Sequence, residues 1–407
     1  MKLTVGNPVK GERFWNREKE LNGLIQLLDE KAHVLIIAQR RIGKTSLMEQ
    51  AAETIKDRYL CLQIDLQSAH SVVDAIAELA AATRNSSLWE KITGIFSNVL
   101  NNAARQIDSL QLSELKVTLR TGMTEGSWQA KGDQLFDKLA ESDKPVVIFL
   151  DEVPILVSRL LKGSDYQMTP ERRGQTDAFL SWLRANSLKH REKIRLVVTG
   201  SIGLEPILRQ VGLSATINHL TPFSIGLWEP TVVKSCVEAL AEEYSLTFDG
   251  DALEYFVDCL GRCVPYHVQL FFQQVRTVCV REGLTHIPKT LVAEVYEREM
   301  LARRGHAELS HLEERLKLVL GPELHPIALE FLTEAAVTGK LSAAAIQVFC
   351  LEYKQPVVIA REILLILEHD GYMYQQSNTY RFVSKLVQEW WRAQYSLLFV
   401  PASARGK

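Results

Sequence analysis

The chain has 407 residues, 46% hydrophobic and 24% charged, with 47 Lys+Arg against 49 Asp+Glu; that is the composition of an ordinary globular protein of two or three domains. A formal charge of −2 gives no global basic field, which excludes retention on nucleic acid by net charge and leaves only a local patch for such a contact. The N-terminus lacks an apolar leader and no run approaches about 18 uninterrupted apolar residues, so no membrane contact is expected, and the six scattered cysteines read as buried free thiols of a reduced, cytoplasmic protein.

The first predicted element is an amphipathic helix introduced by Glu12-Arg13-Phe14-Trp15-Asn16-Arg17-Glu18, with Leu21, Leu24, Ile25, Leu27 and Leu28 on its apolar side and Asn16 as its N-cap. Phe14, Trp15 and Arg17 are either part of that packing or one wall of a ligand pocket. Val34 to Ala38 is an apolar run without helical period, which predicts a buried parallel strand. It breaks into a polar loop ending in Gly43-Lys44-Thr45, and a helix follows to Lys56. Strand, loop and helix in this order predict a phosphate-binding loop made of Ala38, Gln39, Arg40, Arg41, Ile42, Gly43, Lys44, Thr45 and Ser46. Gly43 lets the backbone approach an anion without a Cβ, Lys44 supplies a point charge for the β- and γ-phosphates, and Thr45 offers a hydroxyl to Mg²⁺. The pattern departs from G-x-x-x-x-G-K-[ST] at its first position, where Ala38 replaces glycine, a change tolerated if φ there is negative.

Tyr59 to Leu66 reads as a second strand, and Ser71 to about Ile107 as an Ala-rich helical insertion. Leu115 to Arg120 alternates as a short strand, Gly122 to Gly132 reads as a turn-rich connection, and Gln134 to Glu141 as a helix. Lys144 to Glu152 (KPVVIFLDE) is an apolar strand that ends in two carboxylates, at the end of a parallel sheet where ligands bind. Asp151 is expected to hold Mg²⁺ through a water, and Glu152 to orient or deprotonate the water that attacks the γ-phosphate. Ile194 to Ser201 is a further strand, whose terminal Thr199 and Ser201 are candidate γ-phosphate sensors or else a plain turn. Arg209, with Arg184 and Arg191 before it, is a candidate arginine finger acting across a subunit interface, or else a solvated helix charge.

From Trp228 the period is helical, broken by Gly261-Arg262-Cys263-Val264-Pro265-Tyr266, where Pro265 either touches a nucleotide base or starts a helix after a turn. The expected domains are a nucleotide-binding core over 1–227 with an insertion at about 71–140, a helical lid over 228–304, and a helical linker with a winged helix over 305–407. The last rests on a helix at Arg361 to Asp370, a strand at Gly371 to Tyr374, a polar turn, a returning strand at Thr379 to Val383 and a final helix with Trp390 and Trp391. Residues 340–407 carry eight Lys/Arg against five Asp/Glu, thin for DNA, so protein docking is at least as well supported as groove reading.

As an ordered set, GERFWNREKEL, AQRRIGKTSL, VVIFLDE, VVTGS, GRCVPYHVQ and the C-terminal pattern resemble the STAND-type branch of the AAA+ ATPases, in particular the archaeal-type ATPases that also occur in bacteria. The resemblance spans Gly11 to about Tyr395. Asn16 stands where the family's opening motif usually has glycine, Arg40 and Arg41 match its paired arginines, and no arginine follows Pro265 where many AAA+ proteins carry a second sensor. The resemblance implies an α/β P-loop core, ATP or ADP with Mg²⁺ as cofactors, slow hydrolysis, and a switch in which ADP holds the lid closed and ATP with a stimulus opens it for assembly. It also implies a protein partner that supplies sensor or effector, in bacterial signalling or antiphage defence, and an ATP-dependent homo-oligomer. A DNA-loading ATPase that uses the winged helix is the competing expectation.

Overall fold

The computed structural model describes residues 2–11, 14–96, 111–124, 126–301 and 307–405. Two compact units result: Glu18–Ile37 with Leu47–Ser224, and Met1–Arg17 with Ala38–Ser46 and Ile225–Lys407.

The first unit is built on a five-stranded parallel sheet. Its strands are β1 (His33–Ile37), β2 (Leu60–Asp65), β3 (Val146–Asp151), β4 (Ile194–Val198) and β5 (Leu220–Ser224), in the order β2-β3-β4-β1-β5. Leu35 pairs with Val198 and Val198 with Leu150, so the C-terminal ends of β1, β4 and β3 emerge side by side on one edge. The chain goes from β1 to the far edge, returns through β3 and β4, then crosses to β5 beyond β1. That reversal marks the place where open parallel sheets bind ligands. Val146, Val147 and Ile148 and all of β4 are buried, as continuous apolar strands covered on both faces must be. The edge strand β5 has only Leu220 buried and contains Pro222, so it carries no apolar run to announce it.

Four helices of the insertion pack on this sheet unit: Val72–Ala82, Trp89–Ile95, Leu112–Thr121 and Trp128–Ala140. The expected strand at Leu115 to Arg120 is the third of these. Leu115 and Leu119 are both fully buried while Val117, which a strand would turn inward with them, is 58% exposed, so the four-residue repeat wins over the two-residue one. Gln111 N–H donates to Glu114 Oε2 at 3.0 Å in a capping box, and Arg120 pairs with Asp74 of Val72–Ala82 at 2.8 Å. The expected turn up to Gly132 is also corrected, since the helix starts at Trp128. Gly132 is there because a Cβ would lie 2.4 Å from the Trp182 ring. Asn16 is not the N-cap: it sits at φ 48° and the helix starts two residues later, at Glu18. Glu12, Arg13, the expected helical stretch over 97–107 and the boundary at 304–305 lie outside the described residues.

In the second unit, helices Pro230–Glu243, Ala252–Leu260, Pro265–Glu282 and Lys289–Val295 enclose a core that includes Val237, Leu240, Phe271 and Phe272, with Phe256 stacked on Phe271 at 4.2 Å. Strands β6 (Thr247–Phe248) and β7 (His286–Ile287) form a short parallel ladder beside it. Leu386, from the helix Lys385–Tyr395, belongs to the same core. The C-terminal segment runs through Ala307–Thr338, which breaks at Gly321 before Pro322, then β8 (Leu341–Ser342), Ala343–Glu352, Val357–His369, β9 (Met373–Gln376), β10 (Thr379–Phe382) and Lys385–Tyr395. The three strands make an antiparallel sheet in the order β8-β10-β9. Ser377 and Asn378, both at positive φ, form the two-residue hairpin turn.

Candidate functional site

The loop after β1 is shaped by two residues in the left-handed region, Arg41 at φ 66° and Gly43 at φ 102°. Such alternation turns successive peptide N–H groups into a common concavity that suits an anion. Gly43 is exposed and nothing among the described residues lies within 4 Å of where its Cβ would be, so the glycine meets a backbone need. Ala38 is not among the positive-φ residues, and its methyl costs no strain. Ile42, 1% exposed, anchors the loop. Lys44 is 7% exposed and folds back over the loop, its Nζ donating to Ala38 O at 2.9 Å and Gln39 O at 2.8 Å. Thr45 and Ser46 lie in the first turn of Lys44–Ile55, and Ser46 Oγ accepts from Val9 N–H at 3.1 Å.

Arg17 is buried, and its Nη2 donates to Gly226 O at 2.7 Å and Ile42 O at 3.4 Å. It therefore acts on the loop's backbone. Phe14 is half-buried, with its N–H on Gly11 O, and Trp15 packs against the helical core of the second unit. Leu3 N–H donates to Tyr244 Oη and Thr4 N–H to Gln269 Oε1, so the N-terminal segment is tied at one end to those helices and at Val9 to the loop's helix. Pro265 is buried as the first residue of its helix. The break before it is a clasped knuckle: Trp228 N–H donates to Cys263 O at 3.1 Å, and Gly261, at φ 67°, would put a Cβ 2.9 Å from Lys385 Cβ. Arg41 lies over the Tyr266 ring at 4.5 Å.

On the sheet unit, Asp151 Oδ1 accepts from Glu152 N–H at 2.9 Å, and Glu152 sits at φ 60° as the N-cap position of Val153–Lys162. Ser201 holds its carboxylate, the N–H and Oγ–H donating to Glu152 Oε2 at 2.9 and 2.7 Å. Between them Gly200 lies so close to Pro154 that a Cβ would approach its Cδ to 2.4 Å. Thr199 is fully buried, with its N–H on Leu150 O, its carbonyl accepting from Val153 N–H, and a side-chain hydroxyl without a hydrogen-bond partner among the described residues. A buried hydroxyl left so costs about 1–3 kcal/mol and is a group that a ligand or water can satisfy.

No family model matches the chain, and no curated protein matches its sequence. Solved structures do. A Walker-type ATPase of Pyrococcus abyssi superposes with a TM-score of 0.62 at 15% identity, over 95% of this chain and 99% of that one. The Aeropyrum pernix ORC2 protein, solved in ADPNP and ADP complexes, superposes with a TM-score of 0.52 at 13% identity, over 95% and 98%. The fold is that of the P-loop ATPases.

Within this P-loop fold, β4 lies between the strand that leads into the loop and the strand that ends in Asp151 and Glu152. The structure brings together Glu152 and Ser201, and separately Arg17, Ile42, Lys44 and the carbonyls of Ala38 and Gln39. Each of the arginine candidates has a partner within the sheet unit. Arg209 is exposed and pairs with Glu205 at 3.0 Å, Arg184 donates to Ala215 O, and Arg191 donates to Lys31 O just before β1, on the opposite edge of the sheet. Reasoning from sequence missed the contact that the loop's Gln39 makes with Gly371. The signal available was the glycine itself, directly after a helix.

Proposed function

We propose that the chain is an ATP-binding, slowly hydrolysing ATPase that works as a nucleotide-dependent switch on a protein partner. One observation carries this: three neighbouring parallel strands lead at one edge into the GKT loop, Thr199-Gly200-Ser201 and Asp151-Glu152. The loop's open left-handed backbone at Gly43 fits a polyphosphate, and the hydroxyl of Thr45 with the carboxylate of Asp151 is a hard-oxygen donor set suited to Mg²⁺. The metal would lower the charge on the phosphates. Lys44 would exchange the loop carbonyls for phosphate oxygens, and Glu152 would accept the proton of the attacking water once Ser201 releases it. Thr199 would meet the γ-phosphate or that water. The absence of an arginine in the first two turns after Pro265 and the tether on Glu152 both support low turnover. The AAA+ relationship, the STAND-type switch, the lid over 228–304, homo-oligomer assembly and a role in signalling or antiphage defence are parts of the same reading.

Lys44→Ala should abolish the nucleotide-induced rise in thermal stability, which at a ligand concentration 100 times Kd amounts to about 2.7 kcal/mol. A wild-type shift in that variant would sink the assignment.

A second reading treats β8, Ala343–Glu352, Val357–His369 and the β9–β10 hairpin as a winged helix that reads duplex DNA, supported by the fold likeness to ORC2. Against it, the exposed face of Val357–His369 carries Val357, Val358, Arg361, Leu365 and Glu368, an apolar stripe with one charge of each sign, which favours a protein partner. Duplex affinity that falls steeply with salt would support this second reading, and no binding at about 50 mM salt would remove it.

A further inference from the structure

A close approach inside the second unit ties the C-terminal segment to the phosphate loop. Gly371, at φ 79° just after Val357–His369, would put a Cβ 2.1 Å from Gln39 Oε1, 2.5 Å from its Cβ and 2.8 Å from its Cδ. Gln39 is the second residue of the loop, and its carbonyl is one of the two that hold Lys44 Nζ. Next to Gly371, Tyr372 is buried with its hydroxyl donating to Leu312 O at 2.7 Å. Burial pushes that hydroxyl's pKa up, Asp370 adds to the rise, and Arg315 and the loop's Arg40 oppose it, so both sides of the contact act on one phenol. Gln39, Arg40, Arg41, Asp370, Gly371 and Tyr372 are among the residues that line a cavity of about 40 Å³, which has room for water.

We propose that the turn Asp370-Gly371-Tyr372 is a latch on the phosphate loop, released when Lys44 leaves the carbonyl of Gln39 for an anion. The glycine is what lets the backbone sit down on Gln39. Because close-packed contacts switch between discrete arrangements and do not stretch, a small shift of Gln39 is enough to unseat the turn. The latch rests on the reading of residues 38–46 as a nucleotide site, and it explains how that site would report its state to the helix and hairpin on either side of Gly371.

The test measures hydrogen exchange over 357–383 and 38–46 in the full chain, with and without Mg-ADP, together with the release rate of a fluorescent ADP. Because the seated latch and a bound anion compete for Lys44, Gly371→Ala should raise exchange over 370–383 in the absence of Mg-ADP and slow ADP release about tenfold. Gln39→Gly in the same chain should bring both back toward wild type, which separates the contact from backbone strain at 371. If Gly371→Ala does not fold, Gln39→Trp loads the same contact from the loop side and should have the same effects. Unchanged exchange and release in these variants, or no recovery in the double variant, overturns the latch while leaving ADP binding intact. If the wild type binds no ADP but the variants still raise exchange, the contact between Gly371 and Gln39 stands, and its release by a nucleotide falls with the nucleotide reading.

Discussion

Ser201 holds one oxygen of Glu152 with two donors, and that arrangement decides what each residue can do. Both donors come from one residue and hold the carboxylate in place, so the serine restrains the group it positions. Removing the hydroxyl takes away one of these two donors and leaves the backbone N–H of Ser201 in place. Ser201→Ala should therefore raise basal phosphate release several-fold in a steady-state assay, whereas Glu152→Gln should keep ATP bound and stop release. A tenfold fall in Ser201→Ala would show that orientation outweighs restraint. The residue types of Thr199-Gly200-Ser201 were legible in the sequence, but their partner was not. Glu152 and Ser201 are 49 positions apart, and only the pairing of β3 with β4 makes them neighbours. Gly200 is likewise explained only by Pro154, a contact that no spacing reveals.

At the scale of elements, β1 and the lead into β5 meet in a pair of groups that titrate. His33 Nδ1 accepts from Leu196 N–H at 3.1 Å and its ring lies 5.7 Å from that of His219. Burial chiefly, then the neighbouring His219, lowers the His33 pKa from 6.5 to about 4, and burial with Arg184 lowers that of His219 to about 4. The folded state thus holds fewer protons than the unfolded chain between these values. Stability from the neutral rings is fully present above about pH 6.5 and is lost as pH falls towards 4, by up to about 3 kcal/mol for His33. Denaturant melts from pH 7.5 to 4.5 should show this loss, and His33→Asn should reduce its slope. The three central strands were legible as uninterrupted apolar runs. Leu112–Thr121 was not, because Leu115, Val117 and Leu119 satisfy period two while Leu115 and Leu119 also satisfy period four, and only burial separates the two.

On the scale of the molecule, the helices after Pro230 and the last helix share one core. Leu386 is fully buried in it, and Tyr296 Oη–H donates to Glu389 Oε2 at 2.6 Å. Leu386→Ala should cost about 2–5 kcal/mol and loosen residues 230–301 and 373–395 together. Exchange that rises in only one of the two stretches would show that they open independently. The succession of a sheet core, a helical part and a C-terminal hairpin could be read from changes of period along the chain. Which parts would pack together could not, since residues 38–46 follow β1 in sequence but group by contact with the N-terminal segment and the C-terminal half.

The sheet finishes on β5, whose middle residue is Pro222. A proline has no N–H to offer to an incoming chain, so this border of the sheet is a poor template for intermolecular strand addition and one route to aggregation is closed.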